Sequence, residues 1–185
     1  MKYLHPYYRT NQIKIGPIVG EYAVTEAVIS QTRNILTEYS KEGIRGHEGL
    51  VFWCGRELNN LTIFTSVIAP NTEHGAHRVM VDEKDFGQCS RRARANRLTI
   101  LCQVHSHPGS DTVHSDGDDH LIIMPFEGML SIVVPNYGRG FTDLSESTIH
   151  QFNDGSWFVC SEDSVKQNLH VLPNFIDLRE VKDGC

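Results

Sequence analysis

The sequence predicts a mixed α/β fold, a single domain whose β-sheet is flanked by helices. Three observations carry this prediction. Apolar, β-rich runs recur at 49–54, 61–69, 98–104 and 129–134. Two stretches of helical character, 21–42 and 82–96, stand between or before them. No repeat, low-complexity tract or Pro/Ser-rich linker divides the 185 residues, a length at which one domain can bury a core.

Residues 12–19 read as a short strand or an extended lead-in. Over 21–42 apolar side chains recur at Val24, Val28, Ile35 and Tyr39, roughly one helical face, and Gly43 is a natural stop. The runs 49–54 and 61–69 form a strand pair joined by a polar turn at Asn59 and Asn60. A short strand over 77–81 precedes a helix that starts at Asp82, with Gly87 as its weak point. The strand 98–104 leads into a loop rich in Gly, Ser and Asp. A short helix over 116–124 stops before Pro125, and 129–134 is a buried strand. Edge strands are expected at 148–152 and 157–160, and no element is assigned beyond Ser164. The organisation expected is an N-terminal extension (1–20), one domain (21–160) and a C-terminal extension or tail (161–185).

Composition narrows the function classes. The chain is 39% hydrophobic and 22% charged, close to the globular average, which argues against disordered and fibrous proteins. No apolar run approaches the roughly 20 residues a membrane span needs. The N-terminal residues lack the apolar core of a secretory signal, so a cytoplasmic location without membrane attachment is expected. A net charge of -6 gives no reason to expect nucleic acid as a partner. The basic group Arg91, Arg92, Arg94 and Arg97 reads as a solvated helix face. The five cysteines are widely spaced with no CxxC pair, which speaks against a disulfide framework or a Cys-rich zinc site. Cys54 and Cys102 read as small buried hydrophobes.

The informative segment is His105-Ser106-His107-Pro108, followed six residues later by Ser115-Asp116-Gly117-Asp118. Alternation along a strand sends His105 and His107 to the same side. Two imidazoles suit zinc, and a carboxylate brought back by the following loop would leave the fourth tetrahedral position open, as a catalytic site requires. Taken separately, His-x-His is a common surface pattern, and Ser115-x-x-Asp118 is a helix capping box. The combination is far more specific than its parts. His114, Asp111, Asp116, Asp119 and His120 lie on the same loop, and Asp119 or His120 could orient a ligand imidazole. His74 and His77 read as structural or exposed, with a substrate-contacting loop as the alternative.

These residues resemble the JAMM (MPN+) metallopeptidases, and among them the small bacterial Prok-JAB branch. That family carries an upstream Glu, then His-x-His-Pro, a short loop and Ser-x-x-Asp; Glu48, His105, His107, Ser115 and Asp118 match it position by position. His47-Glu48-Gly49-Leu50-Val51-Phe52-Trp53 through Gly55, and the run 125–135, extend the match, which covers roughly 20–160 and points to bacterial relatives. One departure is the bulky Phe52-Trp53 pair, where many relatives have a small, Gly-rich element. The resemblance implies the JAB/MPN fold, with an architecture like that of cytidine deaminases. It implies one Zn2+ per chain held by His105, His107 and Asp118, with Glu48 as general base and Ser115 as a donor to the oxyanion. It further implies cleavage after the C-terminal glycine of a ubiquitin-like protein, in a conjugate or a precursor. Ubiquitin-transfer-like enzymes and a bacterial antiphage defence setting belong to the same implied context.

Two other zinc hydrolase types fit poorly. A metallo-β-lactamase site needs Asp-His where this chain has Pro108-Gly109, and a nucleobase deaminase needs a Pro-Cys-x-x-Cys that is absent. A rival of another class is a non-catalytic scaffold or binding module of the same family, which typically loses a ligand or the Glu.

Overall fold

The computed structural model describes residues 9, 12–121 and 125–176. In chain order the elements are β1 (Lys14–Gly16), β2 (Glu21–Thr25), α1 (Glu26–Tyr39), β3 (Leu50–Leu58), β4 (Leu61–Ile68), β5 (Glu73–Gly75), β6 (Arg78–Met80), α2 (Glu83–Ala95), β7 (Thr99–Ser106), β8 (Leu130–Val134), β9 (Thr148–Asn153), β10 (Ser156–Cys160), α3 (Glu162–Asn168) and β11 (Leu169–Leu172). Nine strands form one mixed sheet in the order β1-β10-β9-β8-β7-β3-β4-β2-β11, and β5 and β6 form a separate hairpin. The expected α/β class is what the chain adopts. No helix among the described residues is long and apolar enough to cross a membrane.

The sheet is buried on both faces, and its register shows how. Val51, Val104 and Ile132 are directly opposed across β3, β7 and β8 and point into the core on the α1 side. One residue further along, Leu50 and Phe52 face the other way, into a second core with Cys89 and Ala93 of α2. Residues that pair directly share a face of the sheet. The bulky Phe52-Trp53 pair is explained by this division. Trp53 enters the first core, lies tilted against Phe64 and donates its indole N–H to Thr32 Oγ1 of α1 at 2.7 Å. Phe52 meets Phe86 of α2 edge-on in the second. Gly55 sits at a bulge in β3 where a Cβ would lie 1.8 Å from the Ile63 carbonyl oxygen, so only glycine lets β3 and β4 approach there.

Several expectations change. The helix expected over 21–42 begins only at Glu26: Glu21–Thr25 pairs in parallel with β4, and Thr25 caps α1 by accepting from the Val28 N–H. Val24, which seemed to belong to the helical stripe, is a buried strand residue. The stretches 148–152 and 157–160 are interior strands, not edges, because β1 pairs with the outer side of β10. Beyond Ser164, α3 continues into β11, which closes the other edge beside β2. Strands on either side of 21–160 thus belong to the sheet. The short helix expected over 116–124 is a single 3-10 turn, Asp118–His120, while 122–124 and Cys185 lie outside the described residues. Cys54, Cys89, Cys102 and Cys160 are buried free thiols.

Candidate metal centre

β7 runs between antiparallel β3 and parallel β8, and a parallel neighbour requires a crossover. The chain between β7 and β8 makes that crossover, and its described part from His107 to Leu121 returns across the strand end. His105 lies in β7, His107 one residue past it, and Ser115 and Asp118 in the returning loop. Asn136 and Tyr137, just after β8, both take positive φ (54° and 57°). Their N–H groups donate to the Gly109 and His107 carbonyls at 3.0 and 2.7 Å, fastening the His-Pro-Gly turn to the end of β8. Non-glycine residues in this region cost of order 1 kcal/mol or more each.

The two imidazoles and the carboxylate converge. His105 Nε2 and His107 Nε2 are 3.2 Å apart. Asp118 Oδ2 is 3.2 Å from His107 Nε2, and Oδ1 is 3.4 Å from His105 Nε2. His107 Nδ1–H donates to the Asp111 carbonyl at 2.8 Å. That bond fixes the tautomer and leaves the Nε2 lone pair facing Asp118 and His105. Asp118 is itself positioned: its Oδ2 accepts from the Ser115 N–H at 2.7 Å and the Ser115 hydroxyl at 2.8 Å. His105 and His107 are fully buried.

The electrostatics follow. Burial pushes the His105 imidazole below its ordinary pKa, against the pull of Asp118. Burial acts the same way on His107, but the Asp118 hydrogen bond and charge, the Asp111 carbonyl and the Glu48 charge outweigh it, and its pKa is raised. For Asp118 burial favours the neutral acid; the two histidines reverse this and hold its carboxyl well below the usual range. Three such donor atoms turned on one point call for a positive charge between them, which a proton or a metal ion can supply. Two imidazoles and a carboxylate are also a donor set that suits a zinc-class ion. The His105–His107–Asp118 group fits a metal.

Glu48 precedes β3 and is buried, with only 4% of its surface exposed. Its N–H donates to the Gly75 carbonyl at 2.9 Å, tying it to β5. With Ser115, Gly117 and Asp118 it lines a cleft of about 290 Å³ whose far wall is Val79, Met80, Val81 and Leu121. The sequence predicts the strand at 77–81 but does not join it to the site, because the loop that faces it lies far along the chain. His77 and His120 line the same cleft. Among the described residues the hydrogen bond that orients His107 comes from the Asp111 backbone rather than from Asp119 or His120. Asp119 instead pairs with Arg9 at 2.8 Å and with His114 Nδ1 at 3.0 Å. His114 is fully buried, stacks on His150 with ring centroids 3.7 Å apart, and reaches Ser131 Oγ at 2.8 Å. Buried polar networks of this kind rigidify what they support, here the loop carrying Ser115.

Comparison with known proteins agrees with this geometry. Residues 36–144 match the family described as prokaryotic homologs of the JAB domain, and the chain belongs to that family. It is 33% identical over 115 residues to a Sinorhizobium fredii (strain NBRC 101917 / NGR234) protein named probable metalloprotease y4jG, a match spanning 60% of this chain and 70% of the relative. In fold it is similar to protein DSY2949 from Desulfitobacterium hafniense, with TM-score 0.56 at 12% identity over 83% of this chain and 92% of that one. AF2198, a JAB1/MPN domain protein from Archaeoglobus fulgidus, aligns with TM-score 0.47 at 10% identity over 82% and 98% of the two chains. The family, the metalloprotease relative and the His-His-Asp group together support a metallopeptidase-like role.

Proposed function

We propose that this protein is a zinc-dependent peptidase or isopeptidase that cleaves after the C-terminal glycine of a ubiquitin-like protein, releasing it from conjugates or maturing its precursor. The observation that carries the metallopeptidase part is the convergence of His105, His107 and Asp118, with Asp118 and the buried Glu48 lining one cleft. The substrate class rests on the sequence resemblance, and the cleft walled by Val79, Met80, Val81 and Leu121 offers apolar surface to a peptide tail. A bacterial conjugation or antiphage defence setting, with ubiquitin-transfer-like enzymes as partners, rests on that resemblance alone, and a cytoplasmic location on the absence of a signal-like apolar segment near the N-terminus.

His105, His107 and Asp118 would hold the ion, which would supply Lewis acidity to a water and to a substrate carbonyl. Glu48 takes the proton from the attacking water and delivers it to the leaving amine. Its burial keeps that proton from bulk solvent. Ser115 has two duties in this reading. At rest its hydroxyl donates to Asp118 Oδ2, and rotation about its side-chain bond turns the same donor towards the oxyanion of the attacked carbonyl. His107, locked by Asp111, keeps its Nε2 available as a donor atom.

The test compares wild type and Glu48→Gln for zinc content and for cleavage of a panel of ubiquitin-like fusions. Zinc in both and cleavage in wild type alone is the expected result. Absence of zinc at the site after reconstitution would overturn the reading, and a biological role that survives Glu48→Gln would favour a scaffold instead.

A further inference from the structure

A second group of metal-ligating side chains lies outside the cleft. Glu42 and His47 stand in the loop after α1, and His74 in β5. His47 Nδ1 and His74 Nδ1 are 3.0 Å apart, and Glu42 Oε2 lies 3.8 Å from the first and 3.9 Å from the second. A hydrogen bond between the two rings would account for the first distance only. The carboxylate oxygen is beyond hydrogen-bond reach of both nitrogens yet equidistant from them. These three distances define a triangle whose centre is about 2.1 Å from each donor atom, the bond length of zinc to imidazole nitrogen and carboxylate oxygen.

The surroundings hold the donors in place. The Glu42 and His47 N–H groups both donate to the Tyr39 carbonyl, at 3.1 and 3.0 Å, closing the loop on itself. Gly43, at φ 60°, leaves room for the His47 ring: a Cβ there would lie 2.7 Å from its Nε2. The Tyr39 ring meets His74 edge-on, with centroids 4.8 Å apart. All three donors are partly exposed, so an ion can reach them from solvent.

We propose that Glu42, His47 and His74 form a second divalent-metal site, of the zinc class, which fastens the β5–β6 hairpin to the loop after α1. The hairpin reaches the cleft wall at Val79–Val81, and His47 immediately precedes Glu48. A metal there braces the wall and the base together, without touching substrate. The proposal is independent of the peptidase reading, because it concerns different donor atoms.

The test is a calorimetric zinc titration of the full-length protein in a His107→Ala background, which lacks the first site. One binding event is expected, weakened at least 100-fold by adding His74→Asn and at least tenfold by adding Glu42→Gln. Wild type should show two events. Thermal melts would establish that each variant folds; Glu42, half exposed, supplies the safer substitution if His74→Asn does not. No zinc uptake by His107→Ala, or uptake that both added substitutions leave unchanged, would overturn the proposal.

Discussion

The backbone carbonyl of Asp111 accepts from His107 Nδ1–H at 2.8 Å, and this one bond decides which nitrogen of His107 faces Asp118. The orienting group is main chain, so side-chain substitution at Asp111 should leave it intact. Asp111→Ala is expected to retain zinc at this site, whereas His107→Ala and Asp118→Asn lose it. Zinc equivalents after dialysis check all three.

Glu48→Gln keeps the shape and burial of the side chain but removes the proton acceptor. Peptidase turnover should fall by about 10²–10⁴-fold with zinc affinity preserved. Single-turnover cleavage at saturating zinc is the measurement. A loss confined to KM would contradict the assigned role.

Ser115→Ala removes both a hydroxyl donor to Asp118 and the proposed oxyanion donor. Zinc affinity should drop about 10–100-fold, as when a ligand loses its supporting partner. At saturating zinc a deficit of about 10²–10³ in kcat should remain. Zinc titration followed by kinetics separates the two duties.

His114 and His150 are buried neutral, and burial holds both pKa values well below the ordinary 6.5. His150 Nε2 accepts from the His114 N–H at 3.1 Å, which it can do only when unprotonated. The unfolded chain takes up protons at these residues as pH falls through about 6.5, while the folded chain cannot. Stability contributed here is complete above that pH and is lost progressively as pH falls towards the folded values. Denaturant midpoints between pH 7.5 and 5 should decline, and less steeply in His150→Phe, provided that variant keeps its fold.

Tyr137 donates its hydroxyl to the Ala76 carbonyl at 2.8 Å, between β5 and β6. Tyr137→Phe should cost about 1 kcal/mol of stability and loosen the hairpin. KM for a protein substrate should rise more than kcat falls. Equal effects on both would argue that the tie is structural only.

The candidate metal group is legible because the chemistry is local: His105, His107 and Asp118 fall within one strand end and one loop, and alternation along β7 brings the imidazoles together. The α/β class was legible from the apolar runs of β3, β4, β7 and β8. Other features depended on partners far along the chain. Residues 21–25 carry a pattern that suits a helix, yet the vacancy between β4 and β11 makes them a strand. His114 and His150 show their pairing only once β9 lies against β8. Glu42 and His47 share a loop but His74 lies on a distant strand, and no spacing rule joins the three.

Each rim of the large sheet is a strand whose neighbour is made at the opposite end of the described chain: β1 waits for β10, and β2 for β11. During synthesis β2 can find β4 early, but its outer hydrogen-bonding groups stay bare until the last described strand emerges. Parallel pairings over such sequence separations form slowly. A nascent chain in that interval carries an open template for pairing with its neighbours on the polysome. Production is expected to gain from chaperone co-expression, and a reporter fused directly after Leu172 to lower the soluble yield, which a comparison of soluble fractions checks.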